Sequence, residues 1–191
     1  MNHPGSVYKF KSKDKYSIWL SEAIHHHIPE EDFLTFLKLL QEKTDNELDL
    51  DGLLIEACWM GTDGMIKSLI SMGANIEALS STTTTPLMFL AQRDMIETFD
   101  YMISIGANLN AKTKDKHGYD AEYYATSSES VKIIKRIEEL KKMYCGKAQE
   151  IMREREEILD KNKQLEDTIS SLMDQLHDME RKLNGDYKVS I

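Results

Sequence analysis

The chain has 191 residues, a formal net charge of −9 and a charged fraction of 30%, which suit one domain with a solvated helical extension. The acidic balance argues against nonspecific binding to nucleic acid or to anionic membranes, since both attract basic surfaces. No apolar run is long enough to cross a membrane, and the first fifteen residues lack the apolar region of a secretory signal. Cys58 and Cys145 form no CxxC pair, so we expect reduced thiols and a cytoplasmic location.

The N-terminal arm, residues 1–15, carries four lysines against one aspartate, whereas the rest of the chain is acidic. Within the arm, apolar and basic residues alternate from Val7 to Lys11. Such a stretch can add as a strand to a partner or contact phosphates. An alternative function of another class is therefore a nucleic-acid-associated protein that uses this arm. Because the stretch is short and no second motif accompanies it, we expect a flexible terminus and do not expect nucleic acid as a partner.

Two apolar patterns at helical spacing follow, at Ile18–Ile24 and Phe33–Leu40, and predict two helices. The loop between them holds three adjacent histidines, His25, His26 and His27. Adjacent residues on a helix point about 100° apart, so only a turn would let these side chains converge on one metal ion. No Ser-His-Asp set, metal-ligand spacing or phosphate-binding loop stands out elsewhere. We therefore predict no catalytic residue, metal or cofactor, and a protein that is not an enzyme.

An internal repeat lies in the middle of the chain, where Leu54–Ala78 matches Leu87–Ala111 at a constant offset of 33 residues. Apolar positions coincide along the alignment, and Gly-Ala-Asn at residues 73–75 recurs at residues 106–108. Because the apolar pattern and the Gly-Ala-Asn segment recur at the same period, the sequence indicates a repeat architecture.

The ends of the predicted helices have matching signals. Thr85 is placed to cap a helix whose first residue is Pro86, and Gly73 and Gly106 suit left-handed caps at helix C-termini. Together with the 33-residue period, these features resemble the ankyrin repeat, a unit of two antiparallel helices followed by a hairpin-like loop. Met88 stands where that family's motif has a histidine.

The resemblance implies an all-α fold: a short ankyrin-repeat array over residues 16–144, with two clear repeats and divergent capping repeats. Gly118–Ala125 resembles a divergent first helix of a third unit, whose second helix would begin near Ser130. The two helices predicted upstream would form an N-terminal capping pair, because a short array needs its apolar ends closed.

In ankyrin-repeat proteins, partners usually dock on the concave face made by loop tips and the ends of the first helices. Trp59 and Arg93 are residue types that often dominate binding energy; the alternatives are burial of Trp59 beneath the N-terminal cap and a merely solvated surface around Arg93. By resemblance, the partner-binding residues are Asp49, Asp51, Trp59, Met60, Ser81, Thr82, Thr84, Gln92, Arg93, Lys116, His117 and Tyr119.

The C-terminal third contains a heptad pattern. From Ile137 to Met179 every seventh residue is apolar, and a second series three residues before it is apolar from Ile169 to Leu183. Taking these series as d and a predicts a coiled-coil helix over residues 147–184, followed by a tail over residues 185–191. Gly146 would kink, break or weaken the helix before it. The predicted dimerisation residues are Ile151, Ile158, Asn162, Leu165, Ile169, Leu172, Leu176, Met179 and Leu183.

Asn162 at an a position favours two parallel strands in register, because buried asparagines pair with their symmetry mates. Lys161 at g would face Glu166 at e of the second strand. We therefore expect a homodimer. The alternatives are a helix that packs on its own repeats or stays single, and a coiled coil with an unrelated chain.

These observations predict a dimeric adaptor or inhibitor that binds an unknown protein through its concave ankyrin face. Two linked faces would strengthen binding to a symmetric or clustered target through effective concentration. Small ankyrin proteins also resemble those that pathogens use against host proteins, so a pathogen or phage protein that sequesters a host defence factor is the second version of this function.

Overall fold

The computed structural model describes residues 7–10, 15–43 and 48–186, and within these ranges all regular structure is helical. The predicted all-α fold is therefore confirmed. The eight helices are α1 (Lys15–His25), α2 (Glu30–Lys43), α3 (Leu50–Met60), α4 (Asp63–Ser71), α5 (Pro86–Gln92), α6 (Ile96–Ser104), α7 (Ala121–Ser127) and α8 (Val131–Asp186).

The first seven helices form two layers. In the first layer α1 packs on α3, α3 on α5 and α5 on α7, and in the second α2 packs on α4 and α4 on α6. Consecutive helices also pair across the layers, as α1 with α2, α3 with α4 and α5 with α6. The first pair, α1 and α2, thus stacks on the clear repeats, as expected of a capping pair. The core consists of fully buried side chains, among them Phe33, Leu53, Ile66, Leu69, Leu87 and Phe99.

The helices α3, α4, α5 and α7 are each capped at the N-terminus by a side chain, whereas α6 has no side-chain cap. Thr85 Oγ1 accepts a hydrogen bond from the backbone nitrogen of Met88 at 3.4 Å, and Met88 Sδ accepts one from the backbone nitrogen of Thr85 at 3.4 Å. The sulfur thus completes a reciprocal cap at the position where the family motif has histidine. At α3, which lacks a Thr-Pro pair, Asp49 Oδ1 accepts from the backbone nitrogen of Gly52 at 2.9 Å.

The second helices of the two clear repeats end in the same geometry. Gly73 and Gly106 have φ angles of +99° and +101°, a region that disfavours side chains. The following backbone nitrogens close the turn: Ala74 donates to the Leu69 carbonyl at 3.1 Å, and Ala107 donates to the Met102 carbonyl at 2.9 Å. This is the Schellman arrangement, and it confirms the predicted left-handed caps.

The last helix, α8, begins at Val131 and is continuous across Gly146 to Asp186, so this glycine does not break it. Its first two turns bury Ile133 and Ile137, and Arg136 Nε lies 2.7 Å from Asp100 Oδ1 of α6. The helix therefore ends two residues beyond Asn184, and residues 187–191 of the predicted tail lie outside the described residues.

The chain divides into two compact units, residues 1–138 and residues 139–191. The first unit contains α1 to α7 and the buried start of α8. In the second unit every described side chain from Lys141 to Leu183 is exposed. Among the described residues, no helix combines the length and the apolar character that a membrane span requires.

Candidate functional site

The predicted partner-binding residues lie along the first layer of helices. One group lies at the C-terminal ends of α3 and α5, and the other lies at or before the N-terminal ends of α3, α5 and α7. We call the surface of these three helices and the loops preceding them the inner face. The 11 residues of α3 separate its two ends by roughly 16 Å at 1.5 Å per residue. The helix-end group is Trp59, Met60, Gln92 and Arg93, and the loop group is Asp49, Asp51, Ser81, Thr82, Thr84, Lys116, His117 and Tyr119.

Arg93, the C-cap of α5, has an internal function that the sequence did not reveal. Its guanidinium donates hydrogen bonds to the carbonyls of Cys58 at 3.0 Å, Ala57 at 3.3 Å and Gly61 at 2.8 Å. These are the last carbonyls of α3, where a positive charge is favourable. Burial lowers the pKa of Arg93, and the charges of Cys58 and Asp63 oppose that shift. The side chain thus joins two repeats, and its contact with a partner stays a prediction that competes with these bonds.

Trp59 is half-buried, and its ring packs edge to face against Phe89 of α5 with centroids 5.5 Å apart. The ring of Trp59 is thus covered in part by α5 and is not fully buried. The neighbouring Cys58 is fully buried, and this burial raises the pKa of its thiol well above the ordinary value. Met60 and Gln92 are also half-buried.

The loop before α5 is held by its own hydroxyl groups. Ser80 Oγ accepts hydrogen bonds from the backbone nitrogens of Thr82 at 3.2 Å and Thr84 at 3.0 Å. Thr84 is buried, and its hydroxyl lies 3.0 Å from the hydroxyl of Tyr124 in α7. The prediction that Thr84 is an exposed loop tip is therefore corrected, whereas Ser81 and Thr82 are exposed.

The two predicted aspartates at the start of α3 are occupied by backbone groups. Asp49 caps the helix, and its own backbone nitrogen donates to Ser17 Oγ at 2.8 Å. Asp51 Oδ1 accepts a hydrogen bond from the backbone nitrogen of Asn75 at 2.7 Å. Both residues are half-buried, so their first function is to hold the repeats.

A row of stacked rings stands at the third repeat unit. The rings of His117 and Tyr119 lie 5.1 Å apart and those of Tyr119 and Tyr123 3.8 Å apart, both nearly parallel. The hydrogen bond with Tyr123 raises the pKa of Tyr119. Tyr123 is 45% exposed and was not among the predicted residues, although its position four residues after Tyr119 was a signal that could have found it. Lys116, beside this row, is exposed.

The loop that carries this row is fixed by Asp115. Its Oδ1 accepts hydrogen bonds from the backbone nitrogens of Gly118 at 2.9 Å and His117 at 3.1 Å, and from Thr113 Oγ1 at 2.9 Å. The bond from Gly118 is the largest of the effects that hold the pKa of this carboxyl below its ordinary value.

The histidine cluster does not form one group. His25 Nε2 lies 2.8 Å from Glu56 Oε2, and both side chains are buried, whereas His26 and His27 are exposed. Within the described residues, no three His, Cys, Asp or Glu side chains are placed to hold a metal ion.

Part of the N-terminal arm lies on the inner face. The carbonyl of Val7 accepts hydrogen bonds from the backbone nitrogen of Ser81 at 3.1 Å and from Ser81 Oγ at 3.0 Å. The backbone nitrogen of Tyr8 donates to Glu56 Oε1 at 2.7 Å, and Phe10 is buried. The expectation of a flexible arm is therefore corrected for residues 7–10, while residues 1–6 and 11–14 lie outside the described residues.

Comparison with known protein families matches residues 53–142 to a model of ankyrin repeats in three copies. These residues are ankyrin repeats. The matched span starts in α3 and includes α7 and the beginning of α8, so the divergent third unit belongs to the array. A comparison with curated proteins finds no significant match. Ankyrin repeats indicate an interaction with another protein.

Outside the ankyrin repeats, the predicted seam of α8 is an exposed apolar stripe. Its eight apolar members are each between 54% and 65% exposed, and Asn162 is exposed within the same stripe. The seam residues are Ile151, Ile158, Asn162, Leu165, Ile169, Leu172, Leu176, Met179 and Leu183.

Proposed function

We propose that this ankyrin-repeat protein is a dimeric adaptor or inhibitor. In this proposal two copies pair through the seam of α8, and each presents its inner face to a partner protein. The ankyrin repeats carry the partner-binding part of the proposal, and the exposed seam carries the dimer.

The exposure of the seam is the observation that supports pairing most directly. Full burial of a Leu or Ile side chain stabilises by roughly 1.5–3 kcal/mol, and the seam repeats such residues over five turns or more. Most helical stability in proteins comes from packing of an apolar face, and the apolar residues of the seam are exposed. A second copy would bury the stripe, place Asn162 beside its own symmetry mate and favour parallel chains in register.

The inner face supplies contact chemistry for a protein partner. The stacked row of His117, Tyr119 and Tyr123 presents flat rings at one position, and aromatic residues are frequent among those that dominate binding energy. In a dimer two such rows are joined by one coiled coil, which raises the effective concentration at a symmetric or clustered target.

We place this function in the cytoplasm. Cys58 and Cys145 are both free thiols, and Cys145 is exposed. Exposed free thiols suit a reducing compartment.

The dimer is tested by adding a lysine at two neighbouring positions of α8. Leu172→Lys puts a charge into the seam, whereas Ser171→Lys puts the same charge at a c position outside it. We expect wild-type protein and Ser171→Lys to be dimers at tens of micromolar in sedimentation equilibrium, and Leu172→Lys to be a monomer. A wild-type monomer, or equal association of the two variants, overturns the proposed dimer.

The partner face is tested by quantitative affinity purification from the native cell. Tyr123→Ala removes an exposed ring from the inner face, and Tyr16→Ala removes a similarly exposed ring, 41% accessible, from α1. We expect proteins captured by both wild type and Tyr16→Ala to be depleted with Tyr123→Ala. Capture that is unchanged by Tyr123→Ala contradicts the proposed face.

A further inference from the structure

Residues 7–10 of the N-terminal arm meet the inner face at Gly52, Glu56 and Ser81, which we call the arm site. Gly52 and Glu56 belong to α3, and Ser81 belongs to the loop before α5. The arm site therefore lies within the inner face, and Ser81 is itself a residue that the ankyrin resemblance assigns to partner binding.

Two of these residues bind main-chain atoms of the arm. Ser81 donates twice to the carbonyl of Val7, and Glu56 accepts from the backbone nitrogen of Tyr8. The two groups flank one peptide bond of the arm. Because this carbonyl and this N–H belong to one peptide unit, which any chain segment offers, these contacts do not depend on the side chains.

The arm site accommodates the side chains of the arm because Gly52 has no side chain of its own. A Cβ atom built there would overlap the rings of both Tyr8 and Phe10. Gly52 lies in the first turn of α3 and has no left-handed φ angle, so its backbone conformation does not require glycine. Glycine weakens a helix, and what it provides here is room for two aromatic rings against the backbone of α3.

The rings and the residue between them differ in how the site uses them. Tyr8 and Phe10 contact each other edge to face with centroids 5.0 Å apart, and Phe10 is buried. Lys9, between them, is exposed. The arm site therefore contacts an aromatic–X–aromatic segment whose middle residue is exposed to solvent.

The described part of the arm that lies on this face is residues 7–10. Fixing the backbone of such a short segment opposes the gain from its hydrogen bonds to Ser81 and Glu56, each of which contributes only modestly in net terms. Such a segment opens more easily than the helices beneath it.

We infer that the arm site is a peptide-binding groove that the chain's own residues 7–10 occupy, and that a partner binds by displacing them with a short aromatic–X–aromatic segment of its own. This inference rests on the proposed function of the inner face and adds the class of ligand and its regulation. The arm competes in cis, so the affinity for a partner falls by the fraction of molecules in which the groove is open.

The probe for this inference is a fluorescent peptide with the sequence of residues 5–12, added to the full chain. The release variant carries Tyr8→Ala and Phe10→Ala, which remove both rings from the competing arm. We expect fluorescence anisotropy to show the peptide binding the release variant at least about ten-fold tighter than the wild type, because a groove open one tenth of the time weakens binding about ten-fold. Equal binding to the two proteins, or no binding to a folded release variant, overturns the inference.

The location of the groove is tested by filling it. Gly52→Val in the release variant is expected to abolish peptide binding, whereas Gly146→Val, at a helical glycine whose Cβ meets nothing within 4 Å, is expected to leave it unchanged. A control peptide with alanine at both aromatic positions is expected not to bind. Peptide binding that survives Gly52→Val places the ligand elsewhere and contradicts the arm site.

Amide hydrogen exchange of the unaltered chain covers the case in which the release variant does not fold. The backbone nitrogen of Ser81 donates to the carbonyl of Val7, and that of the buried residue Ile66 donates to the carbonyl of Thr62, the N-cap of α4. A displaceable arm predicts exchange at Ser81 at least about ten-fold faster than at Ile66. Exchange at the core rate identifies a permanent strap and overturns displacement.

These results separate the inference from the proposed function. If Tyr123→Ala loses the captured proteins but the peptide does not bind, the groove is rejected, and the proposed partner face is still supported. If the peptide binds but Tyr123→Ala does not change which proteins are captured, the aromatic row is not part of the binding face, and the groove is still supported.

Discussion

The ankyrin unit and the part of α8 after Glu139 both repeat apolar residues at helical spacing, yet the two regions expose them very differently. Leu53, Ile66 and Leu69 are fully buried in the first, whereas Leu165 and Leu172 are more than half exposed in the second. A repeat helix is covered by the next helix of its layer, whereas the described side chains of α8 from Lys141 to Leu183 are exposed. Apolar periodicity therefore predicts which face of a helix is apolar. It does not predict which helix or chain packs against that face.

Polar side chains also differ between the ankyrin unit and the exposed part of α8. In the ankyrin unit, Arg93, Asp49 and Asp51 bind backbone groups of neighbouring helices and loops. In α8 from Lys141 to Leu183 the charged residues are exposed, and the pair between Arg181 and Asp178, 3.4 Å apart on the surface, contributes little to stability. Four substitutions test this contrast, and they are ordered by the expected size of the effect.

The largest effect is expected in the buried core. Phe99→Ala empties a fully buried site in α6 and should lower the free energy of unfolding by about 3–5 kcal/mol. Phe36→Ala removes the same ring from an exposed place in α2, 41% accessible, and should cost about 1 kcal/mol or less. Urea unfolding followed by circular dichroism measures both. Equal losses would show that burial does not separate these two sites.

Next comes the contact that joins two repeats. Arg93→Met keeps much of the stem but removes the donors to three carbonyls of α3, and should lower the free energy of unfolding by about 2–3 kcal/mol. Arg153→Met, on the exposed surface of α8, is the matched control and should change stability by less than about 0.5 kcal/mol. If Arg93→Met lowers the free energy of unfolding no more than Arg153→Met does, the hydrogen bonds of the Arg93 guanidinium do not stabilise the fold.

The seam of α8 should respond in the opposite direction. Asn162→Ile replaces a polar a-position residue by an apolar one, so self-association should become about ten-fold tighter or more, with loss of the strict two-chain state. Lys163→Ile adds the same side chain at an outward b position and should have no such effect. Sedimentation over a dilution series measures both, and weaker association of Asn162→Ile would count against a seam position for residue 162.

The smallest effect belongs to a helix cap. Thr85→Ala removes the oxygen that accepts from the backbone nitrogen of Met88 and should cost about 1 kcal/mol. Thr168→Ala, in the middle of α8, removes a hydroxyl that caps nothing and should leave the unfolding of the ankyrin unit unchanged. Thermal unfolding of the two variants decides the matter, and an unchanged midpoint for Thr85→Ala would contradict the cap.

Local signals predicted much of the fold. Thr85, Pro86, Gly73 and Gly106 each act on backbone groups within one helical turn, and all four occupy the predicted caps. The 33-residue register placed the repeats, and the ankyrin match over residues 53–142 confirms it. Such features are readable because the interacting atoms are close in the chain.

The candidate site was less predictable, because its side chains act on distant parts of the chain. Arg93 reaches carbonyls 32 to 36 residues away, and Glu56 holds Tyr8 across 48 residues. Thr84 looks like a loop hydroxyl in the sequence, and α7 buries it. Nothing local distinguishes a side chain free for a partner from one already bound to its own fold.

The amino-acid sequence by itself determined the helical units, their period, their caps and the apolar stripe of α8, since these follow from backbone preferences and from spacing along one helix. Only the tertiary structure decided that Arg93 links two repeats, that Tyr123 completes a row of rings and that Val7 to Phe10 lie against Gly52. Those outcomes depend on which surfaces meet when the layers stack, and a contact between residues far apart in the chain leaves no periodic trace in either segment.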